Sequence, residues 1–86
     1  NTISAALHRA RMRIAIGAPA SEVLEEARAR ISAAGFERLD YVSAVDSETL
    51  EDLPDGMMAL GQEGRVLAAA WMGPTRLIDN MGFQRT

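Results

Sequence analysis

The chain has 86 residues, enough for one small domain that buries about 60 to 65% of the surface its unfolded form exposes, and its 48% apolar and 24% charged content argues against disorder. Cysteine is absent and all nine cations are arginine, which excludes disulfides, thiolate metal sites, a cysteine nucleophile and a lysine Schiff base. The net charge of −3, with the arginines scattered and not gathered in a stripe, argues against nucleic acid as a partner.

From Thr2 to Ile16, the apolar residues Ile3, Leu7, Ala10 and Ile14 recur at steps of three and four, which predicts an amphipathic helix with Arg9, Arg11 and Arg13 largely off its stripe. Gly17, Ala18 and Pro19 break that pattern, glycine suiting a helix end and proline the first turn of the next helix. A second helix is expected from about Pro19 to Ala34, with Val23, Leu24, Ala27 and Ile31 facing the core and Gly35 ending it. Its glutamates 22, 25 and 26 precede Arg28 and Arg30, the order that suits the helix dipole.

After Gly35 the period shortens towards two. Leu39, Tyr41, Ser43 and Val45 are expected on one face of a strand, and Val42 and Ala44 on the other with Arg38, Asp40 and Asp46. Asp46 and Ser47 are expected to cap a short helical turn through Leu50 and Leu53 that Pro54-Asp55-Gly56 ends. Met57 to Leu60 reads as extended, and Gly61 to Gly64 as a polar turn. Residues 65–72 form an apolar run that suits a buried strand, with Leu67 in the core, although the triplet Ala68-Ala69-Ala70 also suits a helix. Gly73-Pro74 is a tight turn into a last strand, Thr75 to Asn80, with Leu77 and Ile78 on opposite faces; Met81 to Thr86 reads as a loose tail. The expected architecture is α+β: two N-terminal helices packed on one face of a small, three-stranded antiparallel sheet, with residues 1–86 forming a single domain.

Few residues point to chemistry. His8, the only histidine, has no further ligands at metal-binding spacing, and no serine lies in a Gly-x-Ser-x-Gly elbow. Glu48, Glu51, Asp52 and Asp55 form an acidic run without the ligand order of a calcium loop, so a solvated surface is the favoured reading. Arg9 and Arg13 share a helical face and would suit either surface ion pairs or a phosphate. Arg76 and Asp79, three apart on a strand, should leave opposite faces. The structural reading pairs Arg76 with Asp40 or Asp46 and has Asp79 and Asn80 accept backbone hydrogen bonds; the alternative aims Arg76 at a substrate oxyanion. No apolar run approaches the roughly 18 to 20 residues of a membrane span, and Asn1-Thr2-Ile3-Ser4 lacks the start of a signal peptide, so no membrane association and a cytoplasmic location are expected.

The segment from Ala69 to Asn80, ending Thr75-Arg76-Leu77-Ile78-Asp79-Asn80, with Gly35-Phe36, Asp40-Tyr41-Val42 and Val45-Asp46 upstream, resembles the C-terminal domain of the pantothenate synthetase (pantoate:β-alanine ligase) family. The resemblance covers nearly the whole chain, and the closing motif is its most specific part. It implies a lid over a nucleotide site in an enzyme that uses ATP and Mg2+ to make pantoyl adenylate, from which β-alanine displaces AMP. The family's His-x-Gly-His and Lys-Met-Ser-Lys-Ser-like motifs belong to an N-terminal nucleotide-binding domain. A chain with one histidine and no lysine contains neither. The resemblance therefore implies no catalytic, cofactor-binding or metal residue here, and no activity of this chain alone. It also implies the N-terminal domain as partner, with pantoate and β-alanine met only in the intact enzyme, a homodimer. A stand-alone binding module that kept the fold stays open, as does a small enzyme of unrelated mechanism, which the missing lysine, cysteine and histidine pairs disfavour.

Overall fold

The computed structural model describes residues 1–56 and 58–86. Two helices, α1 (Thr2–Ala15) and α2 (Ala20–Ala33), are followed by three strands, β1 (Arg38–Asp46), β2 (Glu63–Met72) and β3 (Thr75–Gln84). The strands form one antiparallel sheet in the order β1-β2-β3, and both helices lie on the same face. This is the expected α+β architecture.

Helix α1 starts where the Asn1 side chain accepts the Ser4 N–H at 2.9 Å. Its stripe of Ile3, Ala6, Leu7, Ala10 and Ile14 is buried throughout. Helix α2 begins after Pro19, which has no side chain able to cap it. Asp55 supplies the cap from the loop after β1, accepting the Ser21 N–H at 2.8 Å as well as the Ser21 hydroxyl. Val23, Ala27 and Ile31 complete the buried face, and Leu24 is only half-buried at its edge.

Residues 65–72 are strand, within the longer β2, so the helical alternative for the alanine triplet falls. The triplet is buried because β2 pairs on both sides and has helices on one face. Val66, Ala68 and Ala70 point to the helices, whereas Leu67 lies on the helix-free face and is only partly buried. Placing Leu67 in the core was thus correct for the strand and wrong for the face. Strict alternation also fails in β1, where a bulge between Leu39 and Tyr41 sends Leu39 inward with Val42 and Ala44.

The 47–53 segment differs from expectation as well. Asp46 accepts the Glu48 and Thr49 N–H groups at 2.8 and 2.9 Å, but the result is a turn and not a helix. Leu50 then takes a left-handed φ of 62°, which a helix would not allow. Of the expected extension, Met57 lies outside the described residues; Met58 and Ala59 are irregular and Leu60 turns.

At the hairpin, Gly73 adopts a φ of 58° ahead of Pro74, the geometry of a two-residue turn that matches strand twist. Beyond it β3 runs four residues past Asn80, correcting the expectation of a loose tail. Met81 and Phe83 pack on the core, and Phe83 crosses Gly64 so closely that a Cβ there would meet its ring at 2.6 Å. Thr86 donates its N–H to the Ala15 carbonyl at 2.8 Å, which fastens the chain end to α1.

The burial pattern sets an order of mutational effects. Leu7→Ala, at a side chain with no exposure, is expected to cost about 2 to 5 kcal/mol. That is a large part of the roughly 4 to 13 kcal/mol available to a chain of this length. Leu67→Ala should cost less than about 2 kcal/mol, since its side chain already meets water. Urea unfolding of the two variants checks the order, and equal losses would contradict it.

Candidate functional site

The residues of the closing motif sit on both faces of β3. On the helix-free face Arg76, opposite Trp71 in the ladder, donates from Nε to Asp40 at 2.8 Å. Trp71 donates its indole N–H to the same Asp40 oxygen at 3.0 Å. Arg38 approaches the other oxygen at 3.4 Å and stacks over the Trp71 ring, 4.7 Å from its centroid. The β1 bulge aims Asp40 at this cluster, joining all three strands near the hairpin end.

Of the two carboxylates the sequence offers Arg76, Asp40 is therefore the partner. Asp46 is engaged elsewhere, with the 47–49 turn and the Gln62 side chain amide at 2.9 Å. The hydrogen bond from Arg76 holds the Asp40 carboxyl below the usual range, and the Trp71 N–H and the charges of Arg76 and Arg38 add to the effect. On the other face, Asp79 accepts the Ser4 hydroxyl at 2.7 Å and the Asn80 N–H at 2.8 Å. The opposite-face geometry of Arg76 and Asp79 follows from their spacing. Asn80 uses its side chain oxygen to accept from Arg65 and does not take a backbone donor there.

Across the helices, Arg13 meets Glu26 at 2.5 Å, with Arg9 and Arg30 approaching at 3.4 and 3.6 Å. Partial desolvation pulls the Glu26 carboxyl upward, but the three arginines outweigh it and hold it low. Arg9 and Arg13 thus serve an interhelical ion-pair cluster. Beside it lies an open groove of about 740 Å3 lined in part by Ala5, Ala6, Arg9, Arg30 and Ala33.

The remaining candidates are scattered. His8 is exposed on α1 and accepts at Nδ1 from Arg11 at 3.2 Å. In the acidic run, the Asp55 carboxylate caps α2 and the Asp52 backbone forms an isolated bridge with Val45. Among the described residues, no group of three histidine, cysteine or carboxylate side chains is placed to hold a metal ion. The linking roles of Ser4, Ser21 and Glu26 were not anticipated; each depends on a residue of another element, and no local pattern announces it.

The family model described as Pantoate-beta-alanine ligase matches residues 1–82. The chain is 50% identical over 84 residues to a pantothenate synthetase of Hyphomonas neptunium, covering 96% of this chain and 29% of that protein. It is 44% identical over 75 residues to a pantothenate synthetase of Mesorhizobium japonicum, covering 87% of this chain and 25% of that protein. Among solved structures, a pantothenate synthetase from Thermus thermophilus matches with a TM-score of 0.75 and 31% identity over 93% of this chain and 28% of its own. The chain thus spans less than a third of the length of these relatives.

The carboxylate connectors make stability sensitive to acid. Asp40 and Asp46 have folded-state pKa values lowered by their donors, as does Asp55 through the Ser21 hydroxyl and N–H. A lowered pKa contributes stability above the unfolded value, about 3.9 for aspartate, and that contribution disappears as pH falls through the folded value. The urea midpoint is therefore expected to drop below about pH 4. Asp40→Asn should weaken that dependence while lowering the midpoint at neutral pH, and a parallel acid decline in both proteins would refute the assignment to Asp40.

Proposed function

Because the chain belongs to the pantoate-beta-alanine ligase family, we propose that it is the C-terminal lid domain of such a ligase. The observation that carries this reading is the match of this two-helix, three-strand fold to about 28% of a solved synthetase. In the whole enzyme, ATP would convert the pantoate carboxylate into an acyl adenylate with release of pyrophosphate. The β-alanine amine would then attack the acyl carbon, forming pantothenate and releasing AMP. The nucleotide and Mg2+ belong to the N-terminal domain that completes the enzyme, in a cytoplasmic homodimer.

The residues of this chain support a covering role and not a chemical one. Asp40, Asp46 and Asp55 are each occupied by internal donors, which leaves none of them arranged as a Mg2+ ligand. The arginines nearest the groove are neutralised in part by Glu26. What the domain offers is a two-layer slab, and a slab closing over an activated acyl group excludes water and completes the geometry around it.

Two measurements test the reading. Calorimetry of this 86-residue chain with MgATP at micromolar concentration is expected to show no binding heat, and the chain with ATP, pantoate and β-alanine should form no pantothenate. The two-domain ligase should form it and lose that activity when these residues are deleted. Substantial heat from MgATP on this chain, or full turnover by the deleted enzyme, would overturn the assignment.

A further inference from the structure

We propose that Asp79 is a positioning residue for lid closure: by holding Ser4 it fixes the angle at which α1, and the sheet behind it, meets the chain preceding Asn1. The inference rests on the lid reading above, in which the nucleotide-binding domain lies on that side of the chain.

Four observations converge on this contact. Asp79 sits on the inward face of β3 between Leu77 and Met81, both packed against the core, where an apolar residue would serve packing better. Its carboxylate is fixed at both ends, one oxygen taking the Asn80 N–H at 2.8 Å and the other the Ser4 hydroxyl at 2.7 Å. Ser4 in turn donates its N–H to the Asn1 side chain at 2.9 Å, so the first residue of the chain, the first turn of α1 and the last strand are tied in one sequence of bonds. That first turn contains no acidic residue of its own, and Asp79 supplies the negative charge its N–H groups favour.

A domain that swings as a lid transmits its motion through the segment joining it to its partner. In the lid reading that segment leads into α1, and among the described residues the only side chain link from the first turn of α1 across to the sheet's last strand is the Ser4–Asp79 hydrogen bond. Without it, Ile3 and Leu7 still anchor α1 in the core, but the first turn can tilt against β3. The lid then seats loosely and water competes with β-alanine for the acyl adenylate. Attack by water breaks the same acyl–phosphate bond and returns pantoate and AMP, whereas attack by the amine gives pantothenate and AMP.

The ratio of AMP released to pantothenate formed therefore reads the seal directly. It is to be measured in the two-domain ligase carrying Ser4→Ala, Asp79→Asn or Ser4→Thr. The wild type is expected to give a ratio near one, Ser4→Ala and Asp79→Asn at least about a twofold rise, and Ser4→Thr, which keeps the hydroxyl, the wild-type ratio. Removing one half-buried hydroxyl leaves the core intact, and melting of this chain carrying Ser4→Ala verifies that. A contact that merely stabilises the fold would reduce both products together, so a ratio of one in Ser4→Ala and Asp79→Asn would overturn the proposal. Wild-type enzyme that releases no pantoate-dependent AMP would instead overturn the ligase reading, and the role of Asp79 with it.

Discussion

Strand β2 is the constraint on which the rest of the domain depends. It alone has a paired neighbour on each side, and Val66, Ala68, Ala69 and Ala70 have no exposed surface at all. Facing it in the same core are Ala6 and Ala10 of α1, so small side chains meet from both layers and the helix backbone approaches the sheet closely. A longer side chain at Ala68 or Ala70 would have to displace α1 itself, and overpacking of that kind is as damaging as a cavity. The thin core of so small a chain is compensated by closeness, not by bulk.

Around that core, carboxylates act as connectors. Asp40 joins β1 to the β2–β3 hairpin, Asp46 joins β1 to the turn before β2, Asp55 joins a loop to α2, and Glu26 joins the two helices. The acidic excess of the sequence is largely spent inside the molecule's own wiring. For the same reason a carboxylate count is a poor guide to catalysis here: each group already has donors that favour its charged form, the opposite of the raised pKa a general acid needs.

The helices were the most legible part of the sequence, because a stripe such as Ile3, Leu7, Ala10 and Ile14 records burial on one side directly. Strand faces were harder to read. Both sides of β2 carry apolar residues, so hydrophobicity could not say that Val66 points inward and Leu67 outward; the pairing register does. The Asp40 bulge was unreadable for a related reason, since an inserted residue shifts the alternation without changing composition. Met81 and Phe83 read as tail, whereas in the sheet the Gly82 between them lies across from the Arg65 side chain. Of the closing motif, the opposite faces of Arg76 and Asp79 could be argued from spacing. The partner of Asp79 could not, because it lies 75 residues away.

That distance has a consequence for how the domain is made. Within this domain helix α1 emerges from the ribosome well before β3, to which it is bonded at Ser4, and before Thr86, which is bonded to Ala15. Until β2 and β3 follow, the apolar stripe of α1 has only α2 to lean on, and contacts of such long sequence separation close slowly. Without the sheet, the helical hairpin would leave its apolar side unfilled. Its burial is completed only when β3 pairs, so the emergence of that strand decides whether this domain folds or is captured by another exposed apolar surface.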